Sequence, residues 1–493
     1  MMGARGFDGA TDDQIAAIHD GAYTMIGHGG VENQGSYHGD ITVTAHGATA
    51  APTSSINNGL EGLGIQLIGG RGTRSYAMIG HGSGYEGNAR SIWDQTRSGD
   101  INVTATTGAI RLLGHNQALR VGDINTGTLV GADEAVPTGQ SSDNSNLGSF
   151  VQIGHGGQNS SYLYAGGTFI MPGSSTNVNN ITPDGSMTGN IDVFAGGTFE
   201  DPNSPGSTVG IQVQAGNRRW FHAMIGHGGT NHRADQGAQT INFGAGAILP
   251  SGFSNSTLAA SSGFNGNIRV EADKGDLIVA GGDSFRADRV WGYGYNFAQV
   301  GHGGDVVRGN KGGTITVLAG QGAGALSGDI HFRAGRMLRE HAQLGHGGTD
   351  SDGDILGAAN SAEIIVTAFG SISFVSPESG DKDALGLSAD YASWWSTNTN
   401  QPGYYSTEDR YVMLGHGGYA STLVMPNRQD ITIRSGTGDM ANADGDDSTG
   451  GITFVAGDME RDFAQLGHGG HSSGANDANG FTGDITVTAN GGG

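Results

Sequence analysis

The heptapeptide "AQLGHGG" occurs twice in this chain, at Ala342–Gly348 and at Ala464–Gly470, and near copies end at Gly229, Gly304 and Gly418. In these copies a small residue stands four positions before the histidine, and Ile, Val or Leu stands two before it. Alternation with period two is typical of a β-strand with one buried face, and it places the histidine on that face. The motif therefore predicts a recurring strand.

Eight histidines share this phase, at irregular separations along the chain, and each is preceded three positions earlier by Met or Gln. Met and Gln are unbranched and similar in size, which indicates one recurring slot on the opposite face of the strand. A ninth copy at His115 is degenerate, because Arg111 occupies its small position. We interpret the eight as a structural ladder of inward imidazoles, each satisfying buried backbone groups. They are His28, His81, His155, His227, His302, His346, His416 and His468.

Two further strand types recur, and the second of them often follows the first. One reads "GDITVTA" or a variant of it, and the other reads "GIQLIGG", "GDLIVAGG" or "GGITFVAG"; β-branched residues alternate with polar ones between turn residues. Three strand types in fixed order predict a three-sided coil. The stretch from the histidine to the next strand varies in length, which predicts insertions along one edge. In four copies the link back to the histidine strand has constant length and carries Arg74, Arg219, Arg339 or Arg461, which we expect to bond carbonyls or a neighbouring carboxylate.

Composition restricts the class of protein. The 493 residues include 93 glycines and 10 prolines without a Gly-X-Y period, which excludes collagen. The net charge of −23 makes nucleic acid or anionic lipid an unfavourable partner, and no apolar run is long enough to insert into a membrane. The absence of cysteine excludes disulfides and thiolate metal sites.

The combination of "GDITVTA" and "GxIxLxGG" strands with turns rich in Gly, Asn and Thr resembles the passenger regions of filamentous-haemagglutinin-type adhesins and related autotransporters. The resemblance covers nearly the whole chain after about residue 20. It implies an all-β, right-handed parallel β-helix, exported to the cell surface or secreted, with a structural or adhesive role. We expect a single solenoid over residues 21–493, and a cap or linker, with a short helix, over residues 1–20. The export signal is expected to lie outside this chain.

The glycine-flanked histidine also admits a catalytic interpretation. Polygalacturonases are right-handed β-helices whose signatures include "GHG" beside "NTD", "DD" and "RIK". This chain has "GHG" and two "DD" pairs, at Asp12–Asp13 and Asp446–Asp447, but neither "NTD" nor "RIK". A catalytic site is built once, whereas this tripeptide recurs, so a carbohydrate-active hydrolase or lyase is the second hypothesis. A single file of imidazoles about 4.8 Å apart also does not supply the four tetrahedral ligands of zinc. Whether one repeat makes one turn or two is open at this point.

Two other segments are candidate sites. Asp350, Asp352 and Asp354 alternate in "TDSDGDI", a pattern that suits Ca²⁺ but lacks the twelve-residue loop of an EF-hand, so a solvated acidic turn is the other interpretation. The segment 385–406 concentrates aromatic residues that fit no strand pattern and that could bind a protein or carbohydrate surface. They are Tyr391, Trp394, Trp395, Tyr404 and Tyr405. The expected function is an extracellular stalk or a subunit that assembles end to end into a fibre, without enzymatic activity and with no cofactor other than Ca²⁺.

Overall fold

The computed structural model describes a β-rich part of the chain. It comprises residues 23–30, 36–47, 62–69, 75–83, 96–114, 149–158, 168–170, 177–179, 186–200, 208–216, 221–230, 233–234, 239–241, 256–258, 263–282, 296–325, 327–335, 339–355, 362–376, 410–425, 428–436, 450–457, 461–475 and 480–490. All regular structure in these residues is β, mostly in parallel strands that form stacked sheets, an arrangement compatible with a β-solenoid. They contain no helix that could cross a membrane.

The first large sheet, the histidine sheet, is built from the strands that precede the motif histidines. Its eight strands are parallel and pair in sequence order, with every repeat in the same register. They are Tyr23–Ile26, Tyr76–Ile79, Phe150–Ile153, His222–Ile225, Phe297–Val300, His341–Leu344, Tyr411–Leu414 and Phe463–Leu466.

The second large sheet contains the "I-x-V-x-A" strands, also parallel and in sequence order. Its eight strands are Ile41–Ala45, Ile101–Ala105, Ile191–Ala195, Ile268–Ala272, Ile315–Ala319, Ile364–Ala368, Ile431–Ser435 and Ile485–Ala489. The third large sheet contains the parallel strands Leu63–Ile68, Ala109–Leu113, Thr208–Gln214, Asp276–Ala280, Ile330–Arg333, Ile372–Val375 and Ile452–Val455, with the short antiparallel strand Phe199–Glu200 beside Thr208–Gln214.

One hydrophobic core contains residues of all three large sheets. The inward residues of each strand contribute to it, as Ile79 of the histidine sheet, Ile101 of the second and Ile110 of the third illustrate; all three are fully buried. Because alternate residues of each strand face this core, the two-residue period read from the sequence is the period of the core.

Short strands occupy the connections. Three small parallel sheets comprise Tyr37–His38, Arg97–Ser98, Met187–Thr188, Phe264–Asn265 and Lys311–Gly312; Gly82–Ser83, Gly156–Gln158, Gly228–Thr230 and Gly303–Asp305; and Arg233–Ala234, Arg308–Gly309, Asp352–Asp354, Thr422–Val424 and Gly474–Ala475. Two antiparallel pairs, Thr168–Ile170 with Asn177–Asn179 and Gln239–Ile241 with Ser256–Leu258, lie between a motif histidine and the next strand of the second sheet.

Each repeat contributes one strand to the histidine sheet and one to the second sheet, and consecutive repeats pair directly. One repeat is therefore one rung of the stack, which answers the question of one turn or two. Eight rungs at about 4.8 Å per step place the first and last rungs about 34 Å apart. The described stack is consequently short along its axis.

The sequence predicts long insertions along one edge only, but the long connections are not confined to one edge. The chain also lengthens between Leu113 of the third sheet and Phe150 of the histidine sheet, and between Ser435 of the second sheet and Ile452 of the third. The prediction of a single variable edge was therefore wrong.

Candidate functional site

The eight motif histidines form one continuous column along the stack. Neighbouring imidazoles lie face to face, with ring centroids 4.7–5.1 Å apart and interplanar angles of 2–9°. The middle members are fully buried, whereas His28 on the first rung is exposed. The spacing is that of neighbouring strands, so the column follows from strict register in the histidine sheet.

Backbone amides hold the Nδ1 atom of each ring. The N–H of His302 donates to Nδ1 of His346 over 3.0 Å, and the N–H of His346 donates in the same way to His416. The same bond joins every other pair of neighbours in the column, at 3.0–3.2 Å. An Nδ1 that accepts a hydrogen bond carries no proton.

The other ring nitrogen reaches across to the corner that precedes a strand of the second sheet. Nε2 of His346 lies 2.8 Å from the carbonyl oxygen of Gly313, a residue of the preceding rung. Six other members of the column make the equivalent contact at 2.6–3.0 Å, to Gly39, Gly99, Gly189, Gly266, Ala362 and Gln429. Since a carbonyl only accepts, Nε2 must donate, and each imidazole is the neutral Nε2–H tautomer.

Burial keeps these histidines neutral. Loss of hydration lowers the pKa of His227 and of His346 to about 4, although the carbonyl that accepts from Nε2 acts in the opposite direction. The pKa values of His155, His302 and His416 are also lowered well below the usual value, first by burial and then by neighbouring histidines. With both nitrogens committed to backbone groups, such a ring has no lone pair left for a metal and no free site for general base catalysis.

The flanking glycines are required by the stacking. Gly301 has φ +152°, and a Cβ placed there would lie 2.0 Å from the carbonyl oxygen of Gly345 on the next rung. Gly303, on the other side of His302, has φ +124° and would place a Cβ 2.1 Å from the oxygen of Gly347. Backbone therefore packs on backbone at both positions, where only glycine fits.

A second column, which the sequence analysis missed, covers the opposite face of the histidine sheet. Five residues before each motif histidine stands an aromatic residue or another histidine, and these rings stack at 4.4–5.2 Å. They are Tyr23, Tyr76, Phe150, His222, Phe297, His341, Tyr411 and Phe463. The signal was present in the sequence, but alternation between Tyr, Phe and His concealed it.

The recurring Met and Gln residues lie on this second face, and those of the inner rungs are buried. Nε2 of Gln299 donates to the carbonyl oxygens of Gly345 at 2.9 Å and Gly347 at 3.2 Å, both on the next rung. Gln152 and Gln343 make the same kind of bond to their own next rungs. Where the recurring position holds Gln, its side chain therefore bonds the backbone carbonyls of the motif glycines on the next rung.

A third ladder runs along the corner before the second sheet. The N–H of Asp100 donates to Oδ1 of Asp40 at 2.9 Å, and Oδ1 of Asp100 accepts in turn from Asn190 at 2.7 Å. Asn190 and Asn267 continue the series. The sequence signal for this ladder is the recurring "GD" or "GN" pair before the strands of the second sheet. Side-chain acceptors thus satisfy corner amides that no strand partner reaches.

Two of the four recurring arginines, Arg339 and Arg461, lie in the described part of the chain, and both have positive φ. NH1 of Arg339 lies 3.3 Å from Oδ2 of Asp350, and its guanidinium packs over the ring of Tyr419 at 4.9 Å. Arg74 and Arg219 lie outside the described residues.

The acidic run does not converge on one point. Asp350 pairs with Arg339, Asp352 lies 3.5 Å from Nε of Arg308, and the N–H of Asp354 donates to Asn310 at 3.0 Å. Within the described ranges no three His, Asp or Glu side chains form a metal-binding group. Carboxylates already paired with arginines suit the six to eight oxygen ligands of Ca²⁺ poorly. The aromatic segment 385–406, with Tyr391, Trp394, Trp395, Tyr404 and Tyr405, lies outside the described residues, as do His115 and residues 1–20.

Asp305 is a buried carboxyl group beside the second column. It is 2% exposed, and neither carboxylate oxygen has a hydrogen-bond partner among the described residues. Burial raises its pKa well above the usual value, and Asp350 adds to the rise while Arg339 opposes it. Neighbouring rungs carry Thr230 and Thr349 at the equivalent position.

Asp305→Thr is therefore expected to stabilise the protein at pH 8 by about 1–3 kcal/mol, because it removes a buried carboxyl group that has no hydrogen-bond partner. A raised folded-state pKa means that stability falls as pH rises through it, so the gain should shrink toward pH 4. Urea midpoints at both pH values measure this, with the half-exposed Asp192→Thr as control. An equal or lower midpoint for Asp305→Thr at pH 8 would contradict the assignment.

Comparison of the chain with protein-family models, with curated proteins and with solved structures gives no match, so its function is inferred from the geometry described above.

Proposed function

We propose that this chain is a structural or adhesive subunit of an extracellular or cell-surface assembly, built as a right-handed, three-sided parallel β-helix and without enzymatic activity. The observation that carries the proposal is the histidine column. On the buried rungs both nitrogens of each imidazole bind backbone groups of the neighbouring rungs, and the same arrangement recurs along the stack. Such a column joins rungs and leaves its buried imidazoles no ring nitrogen free for chemistry.

The net charge of −23 favours partners other than nucleic acid or an anionic membrane. The partner would be a protein or carbohydrate surface, and the aromatic segment 385–406 is the candidate contact.

The proposal is tested by separating binding from cleavage. The full chain is incubated with immobilised polygalacturonate and with a neutral polysaccharide, and both bound protein and released reducing ends are measured, with heat-denatured protein as control. We expect no reducing ends above the control, with or without binding. Cleavage that requires the folded chain would overturn the structural role in favour of a carbohydrate-active enzyme.

A further inference from the structure

On the second face of the histidine sheet, the recurring Met or Gln of one rung is matched to the ring of the next rung. Tyr411 shows the contact directly, because its hydroxyl donates to Oε1 of Gln343, on the preceding rung, over 3.3 Å. Among the described rungs, Met precedes Phe in three places, and the exception is Met25 before Tyr76. Gln precedes a ring with a polar tip in three places, which are Gln152 before His222, Gln299 before His341 and Gln343 before Tyr411.

The tip of Tyr411 shows which groups surround the end of a ring on this face. Its oxygen lies 3.3 Å from Oε1 of Gln343 and 3.5 Å from Oγ1 of Thr349, both on the preceding rung. One rung earlier, the residues in register with these three are His341, Gln299 and Asp305. An imidazole has no hydroxyl and is shorter than a phenol. The ring of His341 therefore ends before the position that corresponds to the Tyr411 oxygen.

Gln299 and His341 bring two acceptors, and no donor, to this position. Nε2 of Gln299 donates to the carbonyl oxygens of Gly345 and Gly347, which fixes the amide and leaves Oε1 to accept. Nδ1 of His341 lies 3.2 Å from the carbonyl oxygen of Arg339, so Nδ1 must donate and Nε2 carries no proton. Neither Oε1 of Gln299 nor Nε2 of His341 has a hydrogen-bond partner among the described residues. Two acceptors cannot bond each other.

We infer that one buried water molecule binds at the tip of His341 and donates one hydrogen to Nε2 of His341 and the other to Oε1 of Gln299. Water is the smallest molecule that donates two hydrogen bonds, and a buried water has two to four polar partners as a rule. Its oxygen takes the place that the Tyr411 oxygen holds on the next rung. Asp305, which is buried, lines this position as Thr349 does there. The inference is independent of the proposed function.

A metal ion would use the same lone pairs, but two observations favour water. Gln152 precedes a histidine rung in the same way, and its Oε1 also has no partner within the described ranges. The residue in register with Asp305 on that rung is Gln158, so the arrangement recurs without a carboxylate. Around His341 the described side chains also include no group of three His, Asp or Glu for a metal. A neutral donor fits both places.

A crystal structure of the full chain, at a resolution that shows ordered water, tests the site directly. We expect density for one oxygen at hydrogen-bond distance, about 2.7–3.2 Å, from both Nε2 of His341 and Oε1 of Gln299. In His341→Tyr the tyrosine hydroxyl should replace this oxygen, and in Gln299→Met the oxygen should be lost. Wild-type density without this oxygen, or anomalous scattering from a transition metal at the site, would overturn the inference.

Melting temperatures of the full chain test the bridge in solution through a double-mutant cycle. Gln299→Met and His341→Phe should each lower the melting temperature, since each leaves the other acceptor without the bridging donor. The double variant recreates the pair formed by Met224 and Phe297, so its loss should be smaller than the sum of the two single losses. The bonds lost from Nε2 of Gln299 cancel in this cycle. Additive losses, or a wild-type melting temperature that rises with ZnCl₂ or falls with EDTA, would contradict a bridging water.

Discussion

Replacing His346 by Ala should lower the free energy of unfolding by about 3–5 kcal/mol, the range seen when a large buried side chain leaves both a cavity and unpaired groups. The N–H of His302 would lose its acceptor and the carbonyl of Gly313 its donor, and both groups would stay buried. The stacked neighbours His302 and His416 would each lose one ring face. Thermal melting and urea denaturation measure the loss.

His331→Ala is the matched control for this substitution. His331 lies on the strand Ile330–Arg333, is half-buried on the outer face and bonds Ser373 at 2.8 Å. Substitutions of partly exposed side chains on an outer face usually change the free energy of unfolding by about 0.5 kcal/mol or less. If His346→Ala melted at the same temperature as the wild type, the histidine column would not be what joins the rungs.

Acid should unfold the protein over a window set by the column. In the folded state the pKa values of the buried histidines are lowered, to about 4 for His227 and His346, against about 6.5 in the unfolded chain. Between these values the unfolded state binds more protons, so stability is complete above pH 6.5 and falls as pH drops toward 4. Each such histidine contributes a slope of about 1.4 kcal/mol per pH unit.

The physical cause is local. A proton on Nδ1 of His346 would face the N–H of His302, which turns a hydrogen bond into two opposed donors. Asp305 and Asp350 work in the opposite direction, because their raised pKa values favour the folded state at low pH, but they are two groups against several histidines. Urea midpoints between pH 8 and pH 4 test the prediction. A midpoint that stayed level from pH 7 to pH 5 would show that the column does not titrate as described.

The repeat and its three strand types could be predicted from the sequence because each has a two-residue period and a fixed phase. The backbone groups that hydrogen-bond the histidine column could not be predicted. His81 bonds Gly39 and His416 bonds Ala362, and variable insertions separate these partners by 42 and 54 residues. Only the spatial register of two sheets brings them together, and no local pattern encodes that register.

The column of rings on the second face of the histidine sheet was not predicted for a different reason. Phe297 and His341 occupy equivalent positions and stack at 5.2 Å, yet one is apolar and the other titratable. A flat ring is the shared property, and a hydrophobic pattern does not detect it. Asp305, buried where neighbouring rungs carry threonine, likewise departs from its repeat in a way that only the structure reveals.

The account depends most on the state of the motif histidines, which are neutral, with the proton on Nε2 and with Nδ1 bound to a backbone amide. Two-bond ¹⁵N–¹H spectra of the full chain labelled at histidine, recorded from pH 7.5 to pH 5, measure this tautomer directly. We predict a set of rings with protonated Nε2 and unprotonated Nδ1 that does not titrate above pH 5, and His346→Ala assigns one of them. Motif histidines that become charged near pH 6.5, or that carry their proton on Nδ1, would contradict the ladder.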